Sequence, residues 1–307
     1  CQSFIYKEDH MTKQRIGWIG TGVMGASMCG HLLTAGHRLT VFSRTRDKAL
    51  RILEKGAAWA ETPKAVAQSS DIVFTMVGFP DDVREVILGD TGLLAGTKTN
   101  DTIVDMTTSS PDLARTIHHE CATKGVKALD APVSGGDVGA REATLAIMVG
   151  GDKPVFDAVK PLFDILGKTI ALMGGPGAGQ HTKMTNQILI AGTMIGVVES
   201  LLYAQQAGMD AHQVIDVIGK GAASSWSINT LGRRIADGDF NPGFYIKHFV
   251  KDMGIALEEA RRMRLSLPGL ALAHQFYVSA MAMGWEELGT QGLFKVLSAM
   301  NRNASIR

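Results

Sequence analysis

Along the first 174 residues, short apolar and β-branched runs alternate with segments whose apolar positions recur every three or four residues. This is the pattern of strands joined by crossover helices. It predicts strands at Ile16–Gly20, Leu39–Ser43, Asp71–Val77, Thr102–Met106, Lys127–Ala131, Leu145–Val149 and Thr169–Leu172. Helices are predicted between them at Met24–Ala35, Asp47–Lys55, Asp82–Leu88, Asp112–Lys124 and Val155–Leu166. Seven strands in this order imply a doubly wound sheet whose strands run parallel. The pattern changes at the turn-rich Gly174-Gly175-Pro176-Gly177-Ala178-Gly179. Beyond it only helical periodicity is found, at His181–Ala207, Ala211–Gly219, Trp226–Asp237, Lys247–Arg264, Gly269–Ala282 and Leu288–Met300. The expected fold class is α/β over residues 12–174 followed by an all-α half over residues 175–307.

Composition narrows the function. A chain of 307 residues with 45% hydrophobic residues is long enough for about two domains with sizeable cores. Its net charge of +1, with no basic tract longer than Arg261-Arg262, argues against a nucleic-acid partner. Three cysteines (Cys1, Cys29, Cys121) without CxxC spacing suit a reducing compartment, and a cytoplasmic location is expected. Residues 1–11 are polar and patternless, and His10-Met11 reads as a cloning junction ahead of an initiator methionine, so they are expected to be a tail outside the fold. The most apolar stretch, Ile188 to Ala204, carries Gly192, Gly196 and Glu199 and is shorter than the roughly 20 residues of a membrane span. It is predicted as a buried helix, with no membrane partner.

The first chemical motif is Gly20-Thr21-Gly22-Val23-Met24-Gly25, which follows a predicted strand and opens a predicted helix, with a second strand ending some twenty residues later. In this Rossmann-type context Gly20 permits a tight turn, Gly22 lets a pyrophosphate approach the backbone, and Gly25 lets helix and strand pack closely. The N–H groups of the helix start then face the phosphates. At the end of the second strand, where an NAD-preferring enzyme places a carboxylate, the chain reads Ser43-Arg44-Thr45 with no acid before Asp47. A guanidinium at Arg44, helped by Ser43 and Thr45, suits a 2′-phosphate, so NADP is expected over NAD, with NAD possible if Arg44 only stacks on the adenine.

Four blocks together carry a resemblance. Gly17-Trp18-Ile19-Gly20-Thr21-Gly22-Val23-Met24-Gly25, Asp130-Ala131-Pro132-Val133-Ser134-Gly135-Gly136, Gly177-x-Gly179-x-x-x-Lys183 and Lys251-Asp252 are similar to the signature blocks of the β-hydroxyacid dehydrogenase family. That family includes 3-hydroxyisobutyrate dehydrogenase, tartronate semialdehyde reductase and glyoxylate/succinic semialdehyde reductases. The resemblance runs from Lys13 to about residue 300. It implies a long helix linking two domains, homodimers or homotetramers formed through the helical half, and a hydroxy acid or semialdehyde substrate.

The resemblance implies that Lys183 is the acid/base, an assignment the chemistry favours. Hydride exchange at an alcohol carbon needs a group that trades the hydroxyl proton, and burial lowers a lysine pKa toward the working range. Asn186 and Gln187 share the helical face of Lys183, with Asn186 the first choice for holding substrate and Gln187 the second. Ser134-Gly135-Gly136, at the carboxyl end of the sheet, forms a small concavity suited to a carboxylate. By resemblance Met76 and Val77 lie in a cofactor loop, although the usual Leu-Pro is here Gly78-Phe79-Pro80. Thr108 matches a threonine at the nicotinamide ribose, Lys251 a lysine approaching the cofactor, and Phe244 and Asp252 residues lining the substrate site. Gly289-Thr290-Gln291-Gly292 departs from the Asp-x-Ser-Ala of many relatives and points to a different subfamily. No metal site is expected, since the only histidine cluster, His118-His119-x-Cys121, splays its side chains around a helix. A non-catalytic nucleotide-binding relative and an imine reductase are the alternatives on the same architecture, the latter usually carrying Asp or Tyr where Lys183 stands.

Overall fold

A computed structural model describes residues 13–301. The tail expected over residues 1–11, with Cys1, lies outside the described residues. The first half is a nine-stranded sheet: β1 (Arg15–Ile19), β2 (Arg38–Phe42), β3 (Ala58–Trp59), β4 (Ile72–Thr75), β5 (Thr102–Asp105), β6 (Lys127–Asp130), β7 (Val133–Ser134), β8 (Leu145–Gly151) and β9 (Gly167–Gly174). Its helices are α1 (Val23–Thr34), α2 (Leu50–Leu53), α3 (Pro63–Gln68), α4 (Pro80–Leu88), α5 (Pro111–Thr123), α6 (Gly136–Arg141) and α7 (Lys153–Leu166).

Strands β4 and β5 are buried along their whole length, as strands covered by helices on both faces must be. Alternate side chains go to opposite layers. Trp18, Phe74 and Val104 join a core with Met28, Leu32 and Phe163 from α1 and α7, whereas Ile19, Val73 and Ile103 join Val83, Ile87, Leu113 and Ile117 on the other face. Trp18 stacks on Phe74 at 5.6 Å between ring centroids, and Phe163 meets Phe74 edge-on at 6.2 Å.

The strand order is β3-β2-β1-β4-β5-β6-β8-β7, with β9 beside β8. The order reverses between β1 and β4, and ligands of such sheets bind outside the carboxyl ends of the strands there. The expectation of a wholly parallel sheet needs correction: β8 runs antiparallel to β6 and β7, and only β9 is parallel to it. Apolar spacing reports which residues are inward but carries no strand direction. Two short strands, β3 and β7, and two six-residue helices, α3 and α6, escape the periodicity because they are too brief to show one.

The second half is helical: α8 (Ala178–Gln206), α9 (Ala211–Ile218), α10 (Arg233–Ala236), α11 (Ile246–Arg262), α12 (Pro268–Ala282) and α13 (Leu293–Met300), with a π-helical stretch at Ser227–Gly232. At 29 residues, α8 is long and apolar enough to cross a membrane, which the stretch read from sequence was not. It is, however, the central post of a core. Met184, Ala191, Met194, Val198 and Leu201 pack with Phe249 and Met253 of α11, Tyr277 of α12 and Leu297 of α13. Phe249 meets Tyr277 edge-on at 5.0 Å, and the Tyr277 hydroxyl donates to the Thr290 carbonyl oxygen at 2.8 Å.

Candidate active site

The candidate dinucleotide cradle is a turn of three glycines, two of which leave no room for a Cβ. Gly20 follows β1 with φ of +93°, and a Cβ there would lie 2.2 Å from the Met76 carbonyl oxygen. A Cβ on Gly25 would lie 2.0 Å from the Gly20 carbonyl oxygen, so α1 packs on β1 only because that atom is missing. Gly22 differs: a Cβ there would meet nothing within 4 Å, which leaves open space where a pyrophosphate would lie. Gly22 also caps α1 without a side-chain hydrogen bond, so the first-turn N–H groups keep their capacity to bind an anion. Thr21 is buried, and its Oγ1 has no partner in the protein. An open approach, uncapped amides and an orphaned hydroxyl fit a bound dinucleotide. Met24 is partly buried against the core and Val23 is 63% exposed at the mouth.

At the end of β2, Ser43 is half-buried while Arg44 and Thr45 are exposed. The Arg44 guanidinium is already engaged. Its Nη1 donates to Asp82 Oδ1 at 2.8 Å, and Asp82, on the first turn of α4, also accepts from the Phe79 N–H at 3.1 Å. Sequence reading did not see this partner, which is 38 residues away.

The catalytic candidates converge from three elements. Lys183 is 6% exposed on the second turn of α8, and burial pulls its pKa from 10.5 down to about 8. The nearby Asp252 carboxylate opposes that shift, and the Lys251 ammonium adds to it. The buried Lys183 has no hydrogen-bond partner among the described residues.

Around Lys183 a chain of polar side chains crosses from one half of the molecule to the other. Ser134 Oγ, on β7, lies 3.5 Å from Asn186 Oδ1, and Asn186 Nδ2 donates to Gln187 Oε1 at 2.7 Å. Gln187 Nε2 in turn donates to Asp252 Oδ2 at 2.6 Å. Lys251 Nζ lies 2.9 Å from Asp252 Oδ1 in an ion pair that leaves this oxygen without a well-directed donor, and it donates to the Thr108 carbonyl oxygen at 2.6 Å. The half-buried Asn186 thus faces Ser134, while the buried Gln187 acts as a strut to α11. Gly135 and Gly136, with φ of +131° and +63°, turn the chain into α6 behind Ser134.

The remaining candidates lie around this chain. Val77 N donates to Thr107 Oγ1 at 3.0 Å, tying the loop after β4 to the segment that holds Thr108. Phe244 is partly buried against Phe249 and lies 6.3 Å from the His248 ring. His248 also meets Phe79 at 5.3 Å, and burial lowers its pKa. Three residues here were not predicted as part of the site. His248 bridges the two halves through Phe79. Asp130 accepts from Gly177 N and Gln180 N, each at 2.8 Å, and so seats the start of α8. Gln180 is fully buried beside it. Asp130 stood in a quoted block, and Gln180 is an uncharged residue inside another, with no sequence signal of its own. Away from the site, His118 lies 3.3 Å from Asp152, and Cys121 is buried in the core.

A glycine-rich turn at the switch point of a Rossmann-type sheet, followed by a helical domain that carries a buried lysine, is the arrangement of a nicotinamide-nucleotide-dependent oxidoreductase. Comparison with known proteins gives the particular family. The family model for the NAD binding domain of 6-phosphogluconate dehydrogenase matches residues 15–175, and that for the "NAD-binding of NADP-dependent 3-hydroxyisobutyrate dehydrogenase" matches residues 177–297. The chain is 51% identical over 294 residues to "Probable 3-hydroxyisobutyrate dehydrogenase-like 1, mitochondrial" of Arabidopsis thaliana, covering 95% of this chain and 87% of the relative. It is 41% identical over 286 residues to the 2-hydroxy-3-oxopropionate reductase of Escherichia coli, covering 93% and 98%. The solved 3-hydroxyisobutyrate dehydrogenase of Mycobacterium tuberculosis with L-serine superposes with a TM-score of 0.85 at 29% identity, covering 93% of this chain and 99% of that one. The chain belongs to the β-hydroxyacid dehydrogenase family, among its 3-hydroxyisobutyrate dehydrogenase-like members, and is an NAD(P)-dependent oxidoreductase.

Proposed function

We propose that the protein interconverts a short 3-hydroxy acid, or its 2-hydroxy counterpart, with the corresponding semialdehyde or oxo acid, using NADP(H) and Lys183 as the acid/base. The observation that carries this reading is the burial of Lys183, which brings its pKa to about 8 beside Asp252 and Lys251. A bound nicotinamide nucleotide supplies or accepts the hydride. In reduction the Lys183 ammonium gives its proton to the carbonyl oxygen as that oxygen becomes a hydroxyl, and in oxidation the neutral amine takes the proton back. Ser134 and the backbone around Gly135 and Gly136 suit the substrate carboxylate. Asn186 orients the reacting end, with Gln187 holding Asn186 and Asp252 in register. Phe244 closes the apolar side.

The NADP preference rests on Arg44 with Ser43 and Thr45 and on the absence of a carboxylate before Asp47. A 2′-phosphate must share or displace the fork from Arg44 to Asp82. That fork is exposed, and exposed pairs are worth about 0.2–1 kcal/mol, so it is a weak competitor. An oligomer through the helical half is also proposed. Leu189 (72% exposed) and Tyr203 (77% exposed) share the outer face of α8 with Gly192 and Gly196, where a Cβ would meet nothing within 4 Å. Light scattering that finds only monomer would contradict it.

The test of the function is turnover of glyoxylate, succinic, tartronate and methylmalonate semialdehydes and 3-hydroxyisobutyrate by wild type and Lys183→Ala, with both nucleotides. Wild type should turn over members of this panel with kcat/KM higher for NADPH than for NADH. Lys183→Ala should lose about 10²-fold or more in kcat while binding NADPH almost unchanged. Equal turnover by the variant would remove the proposed acid/base.

A further inference from the structure

Gln180 is fully buried one helical turn before Lys183, and its amide makes two hydrogen bonds, both to backbone of the other half of the molecule. Its Oε1 accepts from the Ser109 N–H at 2.9 Å, and its Nε2 donates to the Thr107 carbonyl oxygen at 2.7 Å. The amide therefore grips both ends of a three-residue segment whose middle member, Thr108, receives the Lys251 ammonium at its carbonyl. The same segment is anchored from below, where Thr107 N and Thr75 Oγ1 both donate to Asp105 Oδ1, at 3.0 and 2.6 Å. Gln180 is fixed in its own right, since its N–H donates to the buried Asp130 carboxylate. Residues 107–109, the loop after β4 and the start of α8 are thus one rigid polar junction, and Lys183 is the next residue on the same helical face.

We propose that Gln180 is a positioning residue, which locks the first turns of α8 to the segment Thr107–Ser109 and so fixes Lys183 relative to the nicotinamide side of the cleft. The proposal rests on the reading of Lys183 as the acid/base. Misplacing a catalytic group by about 1 Å costs on the order of 10²-fold in rate, so the junction matters to kcat well beyond its two hydrogen bonds.

Two variants separate positioning from mere structural support. Gln180→Met removes both hydrogen bonds at every pH. Gln180→Glu keeps an acceptor for Ser109 N–H, but when ionised it sets a second oxygen against the Thr107 carbonyl. When protonated it donates to that carbonyl and restores the junction. Burial beside the Asp105 and Asp130 carboxylates raises the pKa of such a glutamate, bringing its protonation within reach of assay. Each variant is compared with wild type at the same pH, per folded molecule, which cancels what the two share. At pH 8 both variants should show kcat lowered about 10- to 100-fold. KM for the aldehyde should stay within about threefold, since Gln180 holds no group placed against the substrate. At pH 6 Gln180→Glu should recover to within about threefold of wild type, and Gln180→Met should not.

Wild-type kcat in both variants, a loss in KM instead of kcat, or a Gln180→Glu defect that ignores pH would each overturn the proposal. So would a Gln180→Glu protein that stays unfolded at pH 6, where both hydrogen bonds should be restored. Lys183→Ala, assayed alongside, distinguishes the two failures. If it turns over normally the acid/base reading is wrong, whereas if it is inactive while the Gln180 variants are not, only the positioning role is wrong.

Discussion

The pH dependence of turnover should mirror itself between the two directions of the reaction, with one group responsible for both limbs. Burial takes the Lys183 ammonium from 10.5 to about 8. At pH 7 the neutral fraction is then about one in ten, against about one in three thousand for an ordinary lysine, a gain of roughly 300-fold in available base. Because the group is still mostly protonated at pH 7, the proposed acid/base role lets reduction use the ammonium and oxidation the amine without leaving the physiological range. The assay is kcat/KM from pH 6 to 10, measured in each direction with a saturating nucleotide. Reduction should be flat at low pH and fall tenfold per unit above about 8, and oxidation should rise over the same interval and level off above it. Lys183→Ala should lose both limbs together with its rate. Lys183→Arg, which stays charged, should keep more of reduction than of oxidation. A limb that persists near pH 8 in Lys183→Ala would refute the assignment, as would wild-type profiles that do not invert between directions.

The same buried charge makes a stability prediction. The native pKa of Lys183 is depressed, so its penalty on folding is absent above 10.5 and fully present once pH falls below about 8, where it amounts to about 3 kcal/mol. Lys183→Met should therefore raise the melting temperature at pH 7 by several degrees while abolishing turnover, and an unchanged or lower Tm would contradict it. Asp105 carries the opposite sign: burial raises its pKa from 3.8 to about 6, so stability present below 3.8 is lost as pH climbs through 6. Asp105→Asn should remove this loss, worth up to about 3 kcal/mol, and wild-type and variant Tm curves that run parallel from pH 4 to 7 would count against it. Two of the cradle glycines should respond oppositely. Gly22→Ala should fold with nearly wild-type Tm and lose nucleotide affinity, because its Cβ enters space left for the ligand. Gly25→Ala, whose Cβ would lie 2.0 Å from a carbonyl oxygen, should be destabilised by several kcal/mol, and calorimetry with nucleotide titration distinguishes them.

What the sequence by itself determined is whatever is encoded over a few neighbouring residues. The period of apolar positions marked where most strands and long helices lie, because burial on a face demands that spacing. The pattern Gly20-x-Gly22-x-x-Gly25 marked the turn between β1 and α1, where Gly20 and Gly25 lie too close to backbone for a Cβ. Lys183 stood out within its block, although its burial and lowered pKa did not. The tertiary structure decided everything that depends on which distant segments meet. Strand direction at β8 is one case, since inward-facing residues look the same in either direction. The pairing of Arg44 with Asp82 is another, as both side chains read as ordinary surface charges until the fold brings the segment after β2 to the first turn of α4. The chain of contacts from Ser134 through Asn186, Gln187 and Asp252 to Lys251 and Thr108 joins positions up to 143 residues apart. Asp130 and Gln180, which hold α8 against the sheet, have roles only once that helix is docked, because a buried carboxylate or amide is given its function by the groups that pair with it.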